Sequence, residues 1–155
     1  MSAAEVAQRL DAVRGYAIAL PSARSATACI GFCWGGSTTF EYATAQKELR
    51  AAVVYYGTAP QDKVALTRIA CPVLGLYGGD DARVTSTVEP TKTVMRELGK
   101  TYAPHVYAGA GHGFLRQQSG RDGKNLEAAK GAWQETIAFL RNRLESPGVG
   151  AADER

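Results

Sequence analysis

Residues 27–36 read TACIGFCWGG. TACIGF is a short apolar run, partly β-branched and without the alternation of a half-exposed strand, which is the pattern of a parallel strand covered on both faces. The segment after Cys33, WGGSTTFEYATAQ (34–46), lacks a strand's period of two and predicts a helix starting at once. A strand that becomes a helix within one residue makes a tight bend. Gly31 and Gly35 flank Cys33 at minus two and plus two, where a Cβ is expected to collide, so the bend can lift the cysteine side chain clear of the sheet.

Similar alternation runs along the rest of the chain. Val6, Leu10, Val13 and Ala17 recur at helical spacing, and Ser2 with Glu5 forms a capping-box pattern, predicting a first helix from about residue 3 to Pro21. AAVVYYG (51–57), PVLGLYG (72–78) and APHVYAG (103–109) read as three more strands. Between the last two, Ser86 or Thr87 can cap a helix that carries Val94, Met95 and Leu98, with Pro90 in its first turn and Gly99 as its stop. Asn125 is the expected cap of the longest helix, whose apolar face is Leu126, Ala129, Trp133, Ile137, Leu140 and Leu144. Strands alternating with helices predict an α/β fold: a parallel sheet of about four strands with helices on both faces. The pattern predicts one domain over residues 1–145 and an unanchored tail, SPGVGAADER, over 146–155.

A chain of 155 residues can bury roughly 68–70% of its unfolded surface, so no disulfide framework is needed. Its three cysteines, Cys29, Cys33 and Cys71, show neither CxxC nor Cys/His zinc spacing, which fits a reducing cytoplasm. Eighteen basic and fifteen acidic residues give a net charge of +3, scattered rather than gathered into a stripe. That excludes an extended nucleic-acid surface while remaining compatible with small anionic substrates. Charges at Glu5, Arg9, Asp11 and Arg14 break up the N-terminal apolar residues, which argues against a signal peptide, and no apolar run approaches the ~20 residues of a membrane span.

In parallel sheets chemistry collects at the carboxyl ends of strands. Cys33 ends the first strand, Asp80 and Asp81 follow the third, and His112 follows the fourth in YAGAGHGF. Nucleophile, acid and histidine therefore come in the chain order of α/β-hydrolases. Each has a plainer alternative: a cysteine is by default a small buried hydrophobe, an Asp-Asp pair is turn chemistry, and Gly-His-Gly is an ordinary loop. Their joint occurrence favours a Cys33, Asp81, His112 triad, with Asp80 left as a turn residue. Cys29 and Cys71 keep structural roles and His105 is a strand or surface histidine. Trp34 reads as packing, although its backbone N–H follows the nucleophile directly and can donate to an oxyanion.

GFCWGG (31–36), PVLGLYGGDDARV (72–84) and YAGAGHGFLR (107–116), continuing through GRDGKNLEAAKGAWQETIAFL, resemble the dienelactone hydrolase family of α/β-hydrolases. Cysteine rather than serine in the elbow sharpens the resemblance from superfamily to family. It implies Cys33 as nucleophile, Asp81 as acid, His112 as base and Arg116 as an arginine that helps hold a substrate carboxylate. It implies hydrolysis of a small ester or lactone through a thioester, with no metal or organic cofactor.

The chain covers about the C-terminal two thirds of the family pattern; the part not covered carries, by resemblance, further strands, a second oxyanion N–H and a glutamate near the thiol. TACIGF is then an edge strand with the composition of a central one. Exposed apolar edges pair or aggregate, so a homodimer covering the first strand, the first helix or both is expected. The competing expectation is a catalytically weak remnant that serves as a binding or assembly module.

Overall fold

Four strands join in chain order, β1 (Thr27–Phe32), β2 (Leu49–Tyr55), β3 (Val73–Gly78) and β4 (Tyr102–Tyr107), and every neighbouring pair is parallel. Parallel neighbours need a crossover, and helices supply it: α1 (Ala3–Ile18) leads into the sheet, followed by α2 (Trp34–Ala45), α3 (Lys63–Thr67), α4 (Ala82–Thr85), α5 (Val88–Glu97) and α6 (Lys124–Leu144). The computed structural model describes residues 2–145; the predicted tail at 146–155 lies outside the described residues.

Helices cover both faces, and β2 shows why. Ala52 and Val54 point into a core layer with Phe40 and Ala43 of α2, Met95 of α5 and, at its margin, Ala7 and Leu10 of α1. Val53 and Tyr55 point the other way, onto Ala128, Ala129 and Ala132 of α6. Small residues on α6 let it approach closely, and the Tyr55 hydroxyl reaches across to donate to the Ala132 carbonyl at 3.1 Å and to meet Thr136 Oγ1 at 2.8 Å. β2 is thus buried on both faces throughout its apolar run.

Several expectations need correction. α1 stops at Ile18, before Pro21, and α3, α4 and a 3₁₀ turn at Arg121–Gly123 were not foreseen. α6 starts at Lys124 behind Gly123, whose φ of 85° suits glycine, so Asn125 is inside the first turn and is not the cap. The buried face of α6 is Asn125, Ala128, Ala129, Ala132 and Thr136, while Leu126 and Trp133 face solvent. Of the predicted face, Ala129 is buried and Leu140 packs at the margin of this layer, while the positions nearest the sheet are taken by small residues.

β1 is an edge. Its outer side pairs with no strand among the described residues, and Ile30 and Phe32 remain 39% and 40% exposed. No described helix is long and apolar enough to cross a membrane.

Candidate active site

The bend at Cys33 is as tight as its glycines imply, though not for the reason symmetry suggests. Cys33 has φ 54° and ψ −119°, an unfavourable conformation for a residue with a side chain, and it stands at the N-cap of α2. It is held there by its N–H, which donates to the Tyr55 carbonyl at 3.0 Å, and by its carbonyl, which accepts from the N–H groups of Gly36 and Ser37. A Cβ on Gly31 would lie 2.0 Å from the Gly35 carbonyl oxygen, so only glycine fits. Gly35 itself has open space on the Cβ side, contrary to expectation. The second close approach is between Gly36 and Gly57, where a Cβ on Gly57 would meet Ser37 N at 2.3 Å.

His112 and Asp81 meet. Nδ1 of the imidazole is 2.5 Å from Oδ2 of the buried carboxylate, which leaves the other ring nitrogen as the free one. Asp81 sits where β3 passes into α4, and His112 in the loop after β4, as the strand-end rule expects. Asp80 has a separate partner, accepting from Arg121 at 2.7 Å. The Cys33 thiol is exposed and forms no hydrogen bond with His112; the two side chains share the walls of two hollows.

One hollow, of about 330 Å³, is bounded by Cys33, Trp34, Ser37, Thr58, Arg83 and His112, and the other, of about 380 Å³, by Phe32, Cys33, His112, Leu115 and Arg116. Tyr56 lies between them and belongs to both. Trp34 is 69% exposed and so does not pack in the core, while its N–H is one of those that a helix start leaves without an intrahelical partner.

Over residues 1–144 the sequence matches the model of the dienelactone hydrolase family. The chain belongs to this family. A protein of Saccharolobus solfataricus named "Putative carboxymethylenebutenolidase" is 33% identical over 131 residues, covering 84% of this chain and 50% of that protein. One of the same name from Methylorubrum extorquens is 35% identical over 149 residues, covering 89% of this chain and 50% of the relative. The chain therefore spans about half the length of the curated relatives it matches. The crystal structure of a Klebsiella pneumoniae protein named "Putative Dienelactone Hydrolase" superposes with a TM-score of 0.79 at 32% identity, over 89% of this chain and 61% of the other.

Within this dienelactone hydrolase family chain, sequence reasoning missed three parts of the site. Tyr56, at the end of β2, is buried with φ 39°, and its ring centroid is 5.2 Å from those of both His112 and Phe114. Burial, and after it the nearby Cys33 sulfur, pushes its phenol well above the ordinary range, so the ring is neutral at any working pH. Arg83 enters the first hollow from α4. Asn125, fully buried, accepts the Gly111 N–H at 2.9 Å and donates to the Gln117 carbonyl at 2.7 Å, tying both ends of the His112 loop to α6. The strand-end rule applied to the second strand would have found Tyr56; nothing in the sequence separates Asn125 from a helix cap.

Proposed function

We propose that the chain hydrolyses small carboxylic esters or lactones, with Cys33 as nucleophile, His112 as general base and acid, and Asp81 orienting the imidazole. The observation that carries this is the 2.5 Å contact between His112 and a buried Asp81, beside hollows that the Cys33 side chain also lines. A histidine fixed through Nδ1 presents its other nitrogen for proton transfer, which is the arrangement nucleophilic acyl transfer needs. His112 takes the thiol proton and the sulfur attacks the carbonyl carbon. The carbonyl oxygen gains charge facing the Trp34 N–H. Collapse breaks the carbon–oxygen bond, His112 hands its proton to the leaving alkoxide, and a thioester remains. Water, deprotonated by His112, then displaces the sulfur.

Arg116, at the rim of the second hollow, is suited to a substrate carboxylate. By family likeness the substrate is a small enol lactone such as a dienelactone. Three free thiols, two of them at least partly buried, fit a reducing cytoplasm. The bare edge of β1, with Ile30 and Phe32 exposed, suits a homodimer built on that side, and Val13 and Tyr16 of α1 are exposed as well. Light scattering at micromolar concentration distinguishes dimer from monomer.

Hydrolysis of p-nitrophenyl acetate and of a dienelactone by wild type and Cys33→Ala tests the chemistry. Wild type should exceed the variant by at least ~10³-fold. A thioester adduct on Cys33 should be visible by mass spectrometry after rapid quenching. Equal rates from both proteins would falsify the proposal and leave a binding or assembly module in its place.

A further inference from the structure

Two arginines approach the site from different hollows. Arg83 lines the one that contains Ser37 and Thr58, and Arg116 lines the one that contains Phe32 and Leu115; the two spaces share Cys33, Tyr56 and His112 and then diverge. Neither guanidinium enters an ion pair among the described residues, whereas Arg14 and Arg121 are held by Glu48 and Asp80. No aspartate or glutamate lines either hollow, and the site's buried carboxylate, Asp81, is taken up by His112. In the first hollow, Ser37 Oγ accepts the Thr58 N–H at 2.9 Å and lies 3.3 Å from Thr58 Oγ1, which fixes two hydroxyls as a polar wall. An unpaired guanidinium beside fixed hydroxyls offers a planar oxyanion a fork of donors.

We propose that Arg83, with Ser37 and Thr58, forms a second anion subsite, and that the chain selects dianionic esters or lactones bearing one carboxylate on each side of the scissile bond. The proposal rests on the hydrolase reading and extends it: Arg116 answers to one carboxylate and Arg83 to the other, with the reacting carbonyl between them at Cys33. The two sides of the substrate are thereby told apart, since one hollow is hydroxyl-lined and the other largely apolar.

Four phenyl esters separate the charges. Phenyl acetate is neutral, phenyl hemisuccinate carries a carboxylate on the acyl side, 4-acetoxybenzoate carries one on the leaving group, and the hemisuccinate of 4-hydroxybenzoate carries both. The expected result is that kcat/KM is highest for the dianion, and that Arg83→Ala lowers the ratio of dianion to neutral ester by about tenfold, through KM more than kcat. Arg83→Lys should restore part of that ratio. Arg83→Ala should erase the preference for one carboxylate and Arg116→Ala the preference for the other. Using ratios within each variant removes any general loss of folded protein. An unchanged ratio in Arg83→Ala, or both arginines answering to the same carboxylate, overturns the proposal. Calorimetry with succinate on Cys33→Ala keeps the two readings apart: if wild type hydrolyses none of the four esters, nor p-nitrophenyl acetate or the dienelactone, the hydrolase reading fails, while weaker succinate binding after Arg83→Ala still supports the anion subsite and equal binding refutes it.

Discussion

The two halves of the site are built on different principles. His112 and Asp81 stand on the loops after β4 and β3, where a short hydrogen bond, a buried carboxylate, Asn125 on α6 and the Asp80–Arg121 pair fix those loops although β4 is itself the sheet's other edge strand. Cys33 stands at the end of the edge strand β1, in a strained backbone conformation with an exposed sulfur and an apolar strand edge beside it. One half is held by partners that the described residues contain. The other is held by the backbone of a single bend, and its outer flank is open.

Removing the orienting charge should break the first half most completely. Asp81→Asn is nearly isosteric, but an amide can favour the wrong imidazole tautomer, and kcat should fall by about 10³–10⁴-fold with little change in KM. Steady-state kinetics on the ester that wild type hydrolyses best measures this. A loss below tenfold would mean that the pair does not set the protonation of His112.

The second half should break at Gly31 and not at Gly35. Gly31→Ala drives a Cβ into the Gly35 carbonyl and Thr39 Oγ1, with no flexible side chain alone to yield, and should destabilise the fold by about 3 kcal/mol. Gly35→Ala meets nothing and replaces a helical glycine, so it should be neutral or stabilising by about 0.5–1 kcal/mol. Urea midpoints of the two variants compare them directly. Equal costs would show that the bend is not the rigid element on this side.

How much of this could be read from the chain follows the same division. The order of strands and helices, and the positions of Cys33, Asp81 and His112 at strand ends, were legible because buried parallel strands are uniformly apolar and the connections carry helical periodicity. The role of Asn125 was not, since a cap and a buried bracket have the same local sequence and differ only in what lies 14 residues back. The α6 face misled because Trp133 and Leu126 announce burial by hydrophobicity, whereas the space against β2 and β3 admits alanines. Gly35 misled because a symmetric motif suggested a symmetric clash. For Asn125 and the α6 face the missing information was a distance between segments far apart in sequence; for Gly35 it was the direction in which a Cβ would point.

Asn125 offers a smaller test of the ordered half. Asn125→Ala leaves the buried Gly111 N–H and Gln117 carbonyl without their partners and should cost about 1–3 kcal/mol in stability. Because the loop it brackets carries His112, kcat should fall as well, by about tenfold, while Asn125→Asp, which keeps an acceptor for Gly111, should recover part of the loss. Loss of stability without any change in kcat would confine Asn125 to folding.

The three sulfurs give the mildest contrast, and it can be read through pH. Burial pushes the Cys71 thiol up from its ordinary 9.0 to about 11 and raises Cys29 as well, while the Cys33 thiol is exposed. At pH 8 iodoacetamide should therefore modify Cys33 first in the folded protein, with Cys29 and Cys71 following only on unfolding. The same shift has a definite sign in stability. Below pH 9 Cys71 is protonated in both states and contributes no slope; between 9 and 11 the unfolded chain has released that proton while the folded one retains it, so unfolding becomes easier as pH rises; above 11 the contribution is flat. Cys71→Ala lowers stability below pH 9 by emptying a buried site, yet its urea midpoint should decline less steeply than that of wild type from pH 9 to 11. Parallel declines would show that Cys71 is not shielded as its burial implies, and the contrast between a buried thiol and the exposed Cys33 would lose its chemical consequence.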